Sequence, residues 1–355
     1  MNQEIFMPKP EQGNTSEPAS SWPKKLYLIK PSGFCAGIVR TERGLDMVGK
    51  MYPDQEKILV GTPAHNPTVI EKYEQKGWRM VDSVDKAPNG AITAFGPHGS
   101  TALDRKKAAG KNLSLLDTEC PLVTDVRLGV ETALRDGKTV ILWGKKGHAE
   151  TRAHLGVDAD EFDEKARNRL LLGQSPEEIL SDDFLAQIED PEKVAFYAQT
   201  THNAEEALRI RSELSQKFPH LTSLKTEGIC YATRDRQFGV KEMKRMAEAL
   251  GIRVLIIVVG DIHTSSNTRE LYELTGDENG QLGIAALNAD QLEEYKQRFS
   301  GYDAIAVTAG ASAPDTDIVS ILKWCEANGS TLETLQLGRD ESKINFKLPP
   351  IQNQK

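Results

Sequence analysis

Cysteine is scarce in this chain: four in 355 residues, at positions 35, 120, 230 and 325. They are too few and too far apart for a disulfide scaffold, and no Cys-x-x-Cys pair exists to build a zinc ribbon or a thioredoxin-type redox motif. Free thiols in a reducing, cytoplasmic setting are expected. Long apolar runs are missing too. The longest, from Val254 to Val259, is far short of the roughly 20 residues that a membrane span needs. The opening stretch is polar and Pro/Ser-rich, with neither an early basic cluster nor an apolar core segment; it reads as a disordered tail over residues 1–24 rather than a secretory signal. Basic residues are outnumbered, 44 against 52 acidic, and the net charge of −8 argues against nucleic acid as a partner. No Gly-x-x-x-x-Gly-Lys phosphate loop is present, and no Gly-x-Gly-x-x-Gly fingerprint follows a predicted strand, so a bound dinucleotide of the Rossmann kind is excluded.

What is present is an alternation of strand and helix. Short runs rich in Val, Ile and Leu recur at 25–29, 57–61, 91–96, 113–118, 139–144, 194–200, 221–226, 253–260, 283–288 and 304–310. Their nearly continuous apolarity predicts parallel strands covered on both faces. Amphipathic stretches lie between them, such as 232–251, stopped by Gly251 as a helix C-cap. The fold class is α/β. Ten strands exceed one comfortable open sheet, so two or three smaller sheets are expected. Residues 155–192, acidic and irregular, read as a helical surface excursion, and the last residues as a frayed tail.

The unusual residues fall just after the apolar runs, where parallel sheets bind ligands and helix N-termini point. Cys35 lies in PSGFCAG, His65 in TPAHN, His98 in PHGS and Cys120 in ECPLVT. His148 and Glu150 lie in KKGHAE, Thr200 in QTT, Cys230 in EGICYAT, Ser265, Ser266 and Asn267 in DIHTSSNT, and Ser312 in ASAPD. Nine such loops describe one convergent site. Three distant thiolates suit zinc with a fourth ligand, or an iron–sulfur cluster with one iron left open. Cys325, inside a helical stretch, is read as packing. The histidines with Ser265, Ser266, Asn267 and Ser312 suit a diphosphate held without a phosphate loop. Ser265 or Ser266 would cap the helix that follows. Glu150, beside a histidine in an enclosed site, is a candidate proton donor with a raised pKa. His154, His202 and His220 are read as ordinary packing or surface histidines.

These motifs, in order from about residue 25 to about 340, resemble the iron–sulfur 4-hydroxy-3-methylbut-2-enyl diphosphate reductases of the non-mevalonate isoprenoid route. GFCAG (33–37), CPLVT (120–124), GHAE (147–150), ICYAT (229–233), SSNT (265–268) and TAGASAP (308–314) carry the resemblance. It implies that Cys35, Cys120 and Cys230 ligate a [4Fe–4S] cluster. His65, His98, His148, Ser265, Ser266, Asn267 and Ser312 match diphosphate-binding positions, Glu150 a proton-relay acid, and Thr200 a substrate-orienting hydroxyl. The family fold is three α/β units with small, mostly parallel sheets around a central cluster in pseudo-threefold symmetry. On that pattern the first unit spans 36–120, the second 121–226, and the third 25–35 plus 227–340, followed by a tail over 341–355. The implied reaction is reductive dehydroxylation to isopentenyl and dimethylallyl diphosphate, with flavodoxin or ferredoxin as electron donor. The basic run Arg105-Lys106-Lys107 with Lys111 is read first as a solvated helix face, with docking of such an acidic protein as the alternative. Departures from the family pattern are local. Gly61-Thr62-Pro63-Ala64 stands where the family commonly has His-Glu-Ile-Val, Gly96-Pro97 where it has Ser-Ala, and WGKK leads into His148. Rival readings are a paralogue acting on a related allylic diphosphate, a non-redox iron–sulfur dehydratase or condensing enzyme of the quinolinate synthase type, and a non-catalytic metal protein.

Overall fold

Each of the ten apolar runs forms a strand. The computed structural model describes residues 22–276 and 280–353, so all but the last three residues of the expected N-terminal tail lie outside the described residues. Through the first half of the chain the strands are β1 (Lys25–Lys30), β2 (Lys57–Val60), β3 (Trp78–Val81), β4 (Ile92–Phe95), β5 (Ser114–Asp117), β6 (Thr139–Trp143) and β7 (Leu170–Gly173). They continue with β8 (Val194–Ala198), β9 (Thr222–Ser223), β10 (Val254–Val259), β11 (Ile284–Ala286), β12 (Ala304–Ala309), β13 (Thr331–Gln336) and β14 (Ile351–Asn353).

They assemble into three small sheets, ordered β11-β10-β12-β1-β13, β14-β5-β4-β2-β3 and β7-β6-β8-β9. Every pairing is parallel except β14, which runs antiparallel to β5 with Ile351 opposite Leu116. The fold is thus α/β with three mostly parallel sheets. Alternate residues of each strand feed different cores. In the first sheet Leu26 and Leu28 enter one cluster, while Tyr27 and Ile29 enter another on the opposite face. The second and third sheets are divided in the same way. Helices cover both faces, as the continuous apolarity requires.

Four strands have no counterpart among the ten runs: β3, β7, β13 and β14. All four are edge strands. An edge strand is only partly covered, so mixed polarity such as the TLETLQ of β13 suffices. β7 corrects the reading of 155–192 as a wholly helical excursion. The stretch does hold short helices, but Leu170–Gly173 completes the third sheet beside β6. The C-terminal segment is likewise ordered by pairing rather than frayed, since β14 closes the edge of the second sheet. At the other end, Trp22 stacks on Phe299 with ring centroids 4.6 Å apart, and its Nε1 donates to Ser330 Oγ at 2.8 Å. Gly251 ends its helix at φ 63°, the left-handed turn expected of a C-cap.

Candidate active site

Cys35, Cys120 and Cys230 each occupy the N-cap of a helix: Ala36–Met51, Pro121–Arg135 and Tyr231–Leu250. Each is in an extended conformation, and each amide donates to a carbonyl on the loop after the adjacent strand of its own sheet. Cys35 N–H reaches Ala311 O at 3.2 Å, Cys120 N–H reaches Pro97 O at 2.9 Å, and Cys230 N–H reaches Thr200 O at 3.1 Å. One local construction is therefore used three times, once per sheet. It aims three sulfurs at the positive ends of three helices, where an anionic ligand is favoured.

The three thiols line a single cavity together with His65, His98, His148, Thr200, Ser265, Ser266, Asn267 and Ser312. Every residue singled out from the sequence lines it except Glu150. Gly37 shows how tightly the sulfurs sit. A methyl group there would stand 2.9 Å from Cys120 Sγ and 3.6 Å from Cys35 Sγ. Burial pushes the Cys35 and Cys120 thiols upward and Cys230 up to about 11, and the sulfurs of Cys35 and Cys230 raise Cys120 further. Thiols that resist ionisation through burial and mutual repulsion call for a positively charged group between them. A single ion needs ligands about 2.0–2.3 Å from one point. Among the described residues, no three His, Cys, Asp or Glu side chains are set closely enough for that. Three free thiols at helix N-termini are the donor chemistry of an iron–sulfur cluster or another soft-metal group.

Along the same cavity the imidazoles pack on one another. His65 and His98 are stacked with centroids 4.0 Å apart, and His148 meets His65 edge-on at 5.3 Å. Burial, and then the neighbouring rings, lower His65 to about 4 and hold His98 well below its ordinary value; burial also lowers His148. His148 Nδ1 accepts the Glu150 amide at 3.2 Å, which leaves the proton on Nε2. That nitrogen and His98 Nε2 are buried with no hydrogen-bond partner. Buried ring nitrogens without a partner are the groups that a bound ligand would satisfy.

Asn267 ties the cysteine loops together. Its Nδ2 donates to Thr233 Oγ1 at 3.1 Å, Thr233 N–H donates to Cys230 Sγ at 3.4 Å, and Asn267 Oδ1 accepts Ala311 N–H at 2.7 Å, next to the carbonyl that holds Cys35. Ser265 caps the helix Ser266–Glu273 by accepting Thr268 N–H at 3.2 Å, and lies 3.2 Å from Ser312 Oγ.

Glu150 sits behind the cavity wall, fully buried. Its Oε1 accepts Thr200 N–H at 2.7 Å and its Oε2 accepts the Thr200 hydroxyl at 3.0 Å. The expectation of a raised pKa is corrected. Burial does push the carboxyl up, but hydrogen bonding and charge from His154, with His148 and the Thr200 amide, outweigh it and bring the group below its usual value. His154, read from sequence as bland, is the missed partner: it is fully buried with Nε2 3.4 Å from Glu150 Oε1. The spacing from 150 to 154 on one helix was the available signal.

Two other features were missed. Phe346 lines the cavity from the C-terminal segment, and nothing in its sequence context marks it. Arg236, buried in the helix behind Cys230, donates to Gly33 O at 2.7 Å and Ala232 O at 2.9 Å and pairs with Glu341, joining two cysteine loops to that segment. The departures have packing reasons. A Cβ at Gly96 would stand 2.7 Å from Thr62 O, so the two altered loops are matched to each other. Trp143 stacks on His202 at 4.2 Å. Cys325 is buried in the core, as read. The basic run is already engaged. Arg105 pairs with Asp117 and Glu119, Lys106 with Asp158 and Asp160, and Lys107 with Asp85, while Lys111 donates to the Asp85 and Ala87 carbonyls at 2.9 and 2.7 Å.

Three small, mostly parallel sheets deliver helix-capping thiols and a histidine cluster to one cavity of an α/β protein. The family model described as LytB protein matches residues 26–326, and the chain belongs to that family. It is 31% identical over 330 residues to the 4-hydroxy-3-methylbut-2-enyl diphosphate reductase of Pseudomonas syringae pv. syringae, covering 92% of this chain and 97% of that one. It is also 31% identical to the enzyme of that name from Nitrosomonas europaea, over 307 residues, with coverage of 85% and 87%. Among solved structures it is similar to the E-1-hydroxy-2-methyl-but-2-enyl-4-diphosphate reductase from Plasmodium falciparum. The TM-score there is 0.77 at 25% identity, over 92% of this chain and 96% of that chain.

Proposed function

We propose that this protein reductively removes the hydroxyl group of 4-hydroxy-3-methylbut-2-enyl diphosphate, giving isopentenyl and dimethylallyl diphosphate, with a [4Fe–4S] cluster held by Cys35, Cys120 and Cys230. The observation that carries this reading is the sharing of one cavity by three helix-capping thiols and three neutral imidazoles. Such a cluster supplies one-electron reducing equivalents and, at an iron that no protein thiol ligates, Lewis acidity. The reaction consumes two electrons and two protons and releases water.

The chain's own residues bind, orient and protonate. His98 and His148 present unpartnered Nε2 atoms to the diphosphate, and its charge favours the protonated imidazoles that the empty cavity disfavours. Ser265, Ser266, Asn267 and Ser312 supply the neutral part of the cradle. Holding the diphosphate there directs the hydroxyl end of the substrate toward the thiols, and burial excludes water. Thr200 is the hydroxyl that meets the substrate. Glu150, behind it and ionised at rest, takes up a proton during turnover and relays it through Thr200 Oγ1 to the leaving hydroxyl. Electrons come from a partner, flavodoxin or ferredoxin.

The test is anaerobic purification, iron and sulfide analysis, and turnover of the hydroxylated diphosphate with a dithionite-reduced mediator. Protein that carries iron and sulfide yet leaves that substrate untouched would refute the activity. Glu150→Gln is expected to keep the cluster and lose about 100-fold in turnover. Near-wild-type turnover removes Glu150 from the proton path.

A further inference from the structure

The thiol cavity has a thin side. A second, open groove runs between the helix Pro121–Arg135 and the segment 224–231, and Leu122, Cys230 and Tyr231 line both the groove and the cavity. These three residues are common to both walls. The groove's rim carries the exposed cation Lys225 and the guanidinium of Arg234, whose Nε is buried without a hydrogen-bond partner. Asp125 is the one carboxylate among the groove residues. Leu128, 46% exposed, adds an apolar contact at the same rim. The turn that presents Lys225 is held in an uncommon form. Thr226 and Glu227 have φ of 66° and 57°, a left-handed conformation that L side chains seldom adopt, and Gly228 follows at 98°. The buried Glu227 carboxylate, paired with Arg211 at 2.7 Å, anchors it.

We propose that this groove is the docking face for a small acidic one-electron carrier. The inference rests on the reductive activity proposed above, which requires two electrons that the chain has no dinucleotide site to supply. Each docking oxidises the carrier by one electron, and two dockings complete the reduction. Electron transfer weakens steeply with distance, and Cys230 itself is among the residues that line this outer groove. With a net charge of −8, the chain repels an acidic carrier over most of its surface, so a local cationic rim beside an apolar contact decides where it lands. The basic run 105–111 offers no such rim, because its charges are paired or bound to carbonyls.

The experiment uses the cluster-loaded full chain and an acidic [2Fe–2S] ferredoxin as probe. The variants are Lys225→Glu alone, Lys225→Glu with Arg234→Glu, and Leu128→Asp. For the double variant, ferredoxin affinity by titration calorimetry is expected to fall about tenfold or more at low salt and to lose most of its salt dependence. Cluster absorbance and turnover with dithionite-reduced mediator should be unchanged. Lys225→Glu, on an exposed side chain, guards against a folding defect and should give a smaller loss in the same direction. Wild-type-like ferredoxin binding in all three variants, with mediator-driven turnover intact, overturns the docking face and leaves the proposed activity standing. Failure of the wild type itself to hold a cluster or to turn over refutes the activity, and this inference with it.

Discussion

Gly37→Ala separates the stability of the fold from the assembly of the thiol site. Gly37 is buried in the first turn of the helix that Cys35 caps, and its backbone is helical, so alanine is allowed there and favours the helix by up to about 1 kcal/mol. The added methyl, however, would lie 2.9 Å from Cys120 Sγ and 3.5 Å from Cys120 Cβ. Ordinary contact begins near 3.5 Å, so the Cys120 side chain must move by about half an ångström or more. Metal–thiolate sites tolerate errors of about 0.2 Å, so a displacement of that size disrupts ligation. The metal-free variant is expected to unfold at the same urea concentration as wild type or slightly higher. Anaerobic reconstitution should yield well under half the wild-type iron per chain, with a matching loss of visible absorbance. Full iron content together with full turnover would show that the sulfurs are not confined as described, and the site geometry would have to be abandoned.

The thiols also differ among themselves: Cys120→Ser should degrade or lose the cluster, whereas Cys325→Ser, deep in the first sheet's core, should keep full iron content. The His65 imidazole titrates near 4 in the native cavity against an ordinary 6.5. Below about pH 6.5 the unfolded chain therefore takes up protons that the native one refuses, and native stability falls until about pH 4. From about pH 7 to about pH 5 this amounts to about 2 kcal/mol, so urea unfolding of His65→Gln should lose less stability over that range than wild type does; equal slopes would refute it. Arg236→Met strands the Glu341 carboxylate and frees the Gly33 and Ala232 carbonyls, and a loss of about 3–5 kcal/mol by urea unfolding is expected; a loss below about 1 kcal/mol would show the pair to be dispensable.

Much of this molecule was legible from its sequence, for a physical reason. Strands buried on both faces must be continuously apolar, so the eight inner strands announced themselves, with the edge strands β9 and β11 beside them, and the loops after them had to carry whatever chemistry the protein has. The cysteines at 35, 120 and 230, the histidines at 65, 98 and 148, and the hydroxyl and amide groups at 200, 265, 266, 267 and 312 were recognisable because such residues are unusual in strand-to-helix loops. Only the tertiary structure decided what depends on neighbours distant along the chain. The edge strands β3, β7, β13 and β14 are specified by a partner more than by their own composition. The direction of the Glu150 shift was set by His154 and Thr200, because a buried carboxylate titrates according to what it is hydrogen-bonded to. The basic run 105–111 was silenced by carboxylates on other elements, while Ile351–Asn353 became a strand and the segment before it placed Phe346 in the cavity because an open edge and a buried arginine were waiting for them. Composition and periodicity report what a residue needs, while charge, strain and access are settled by what the fold places against it.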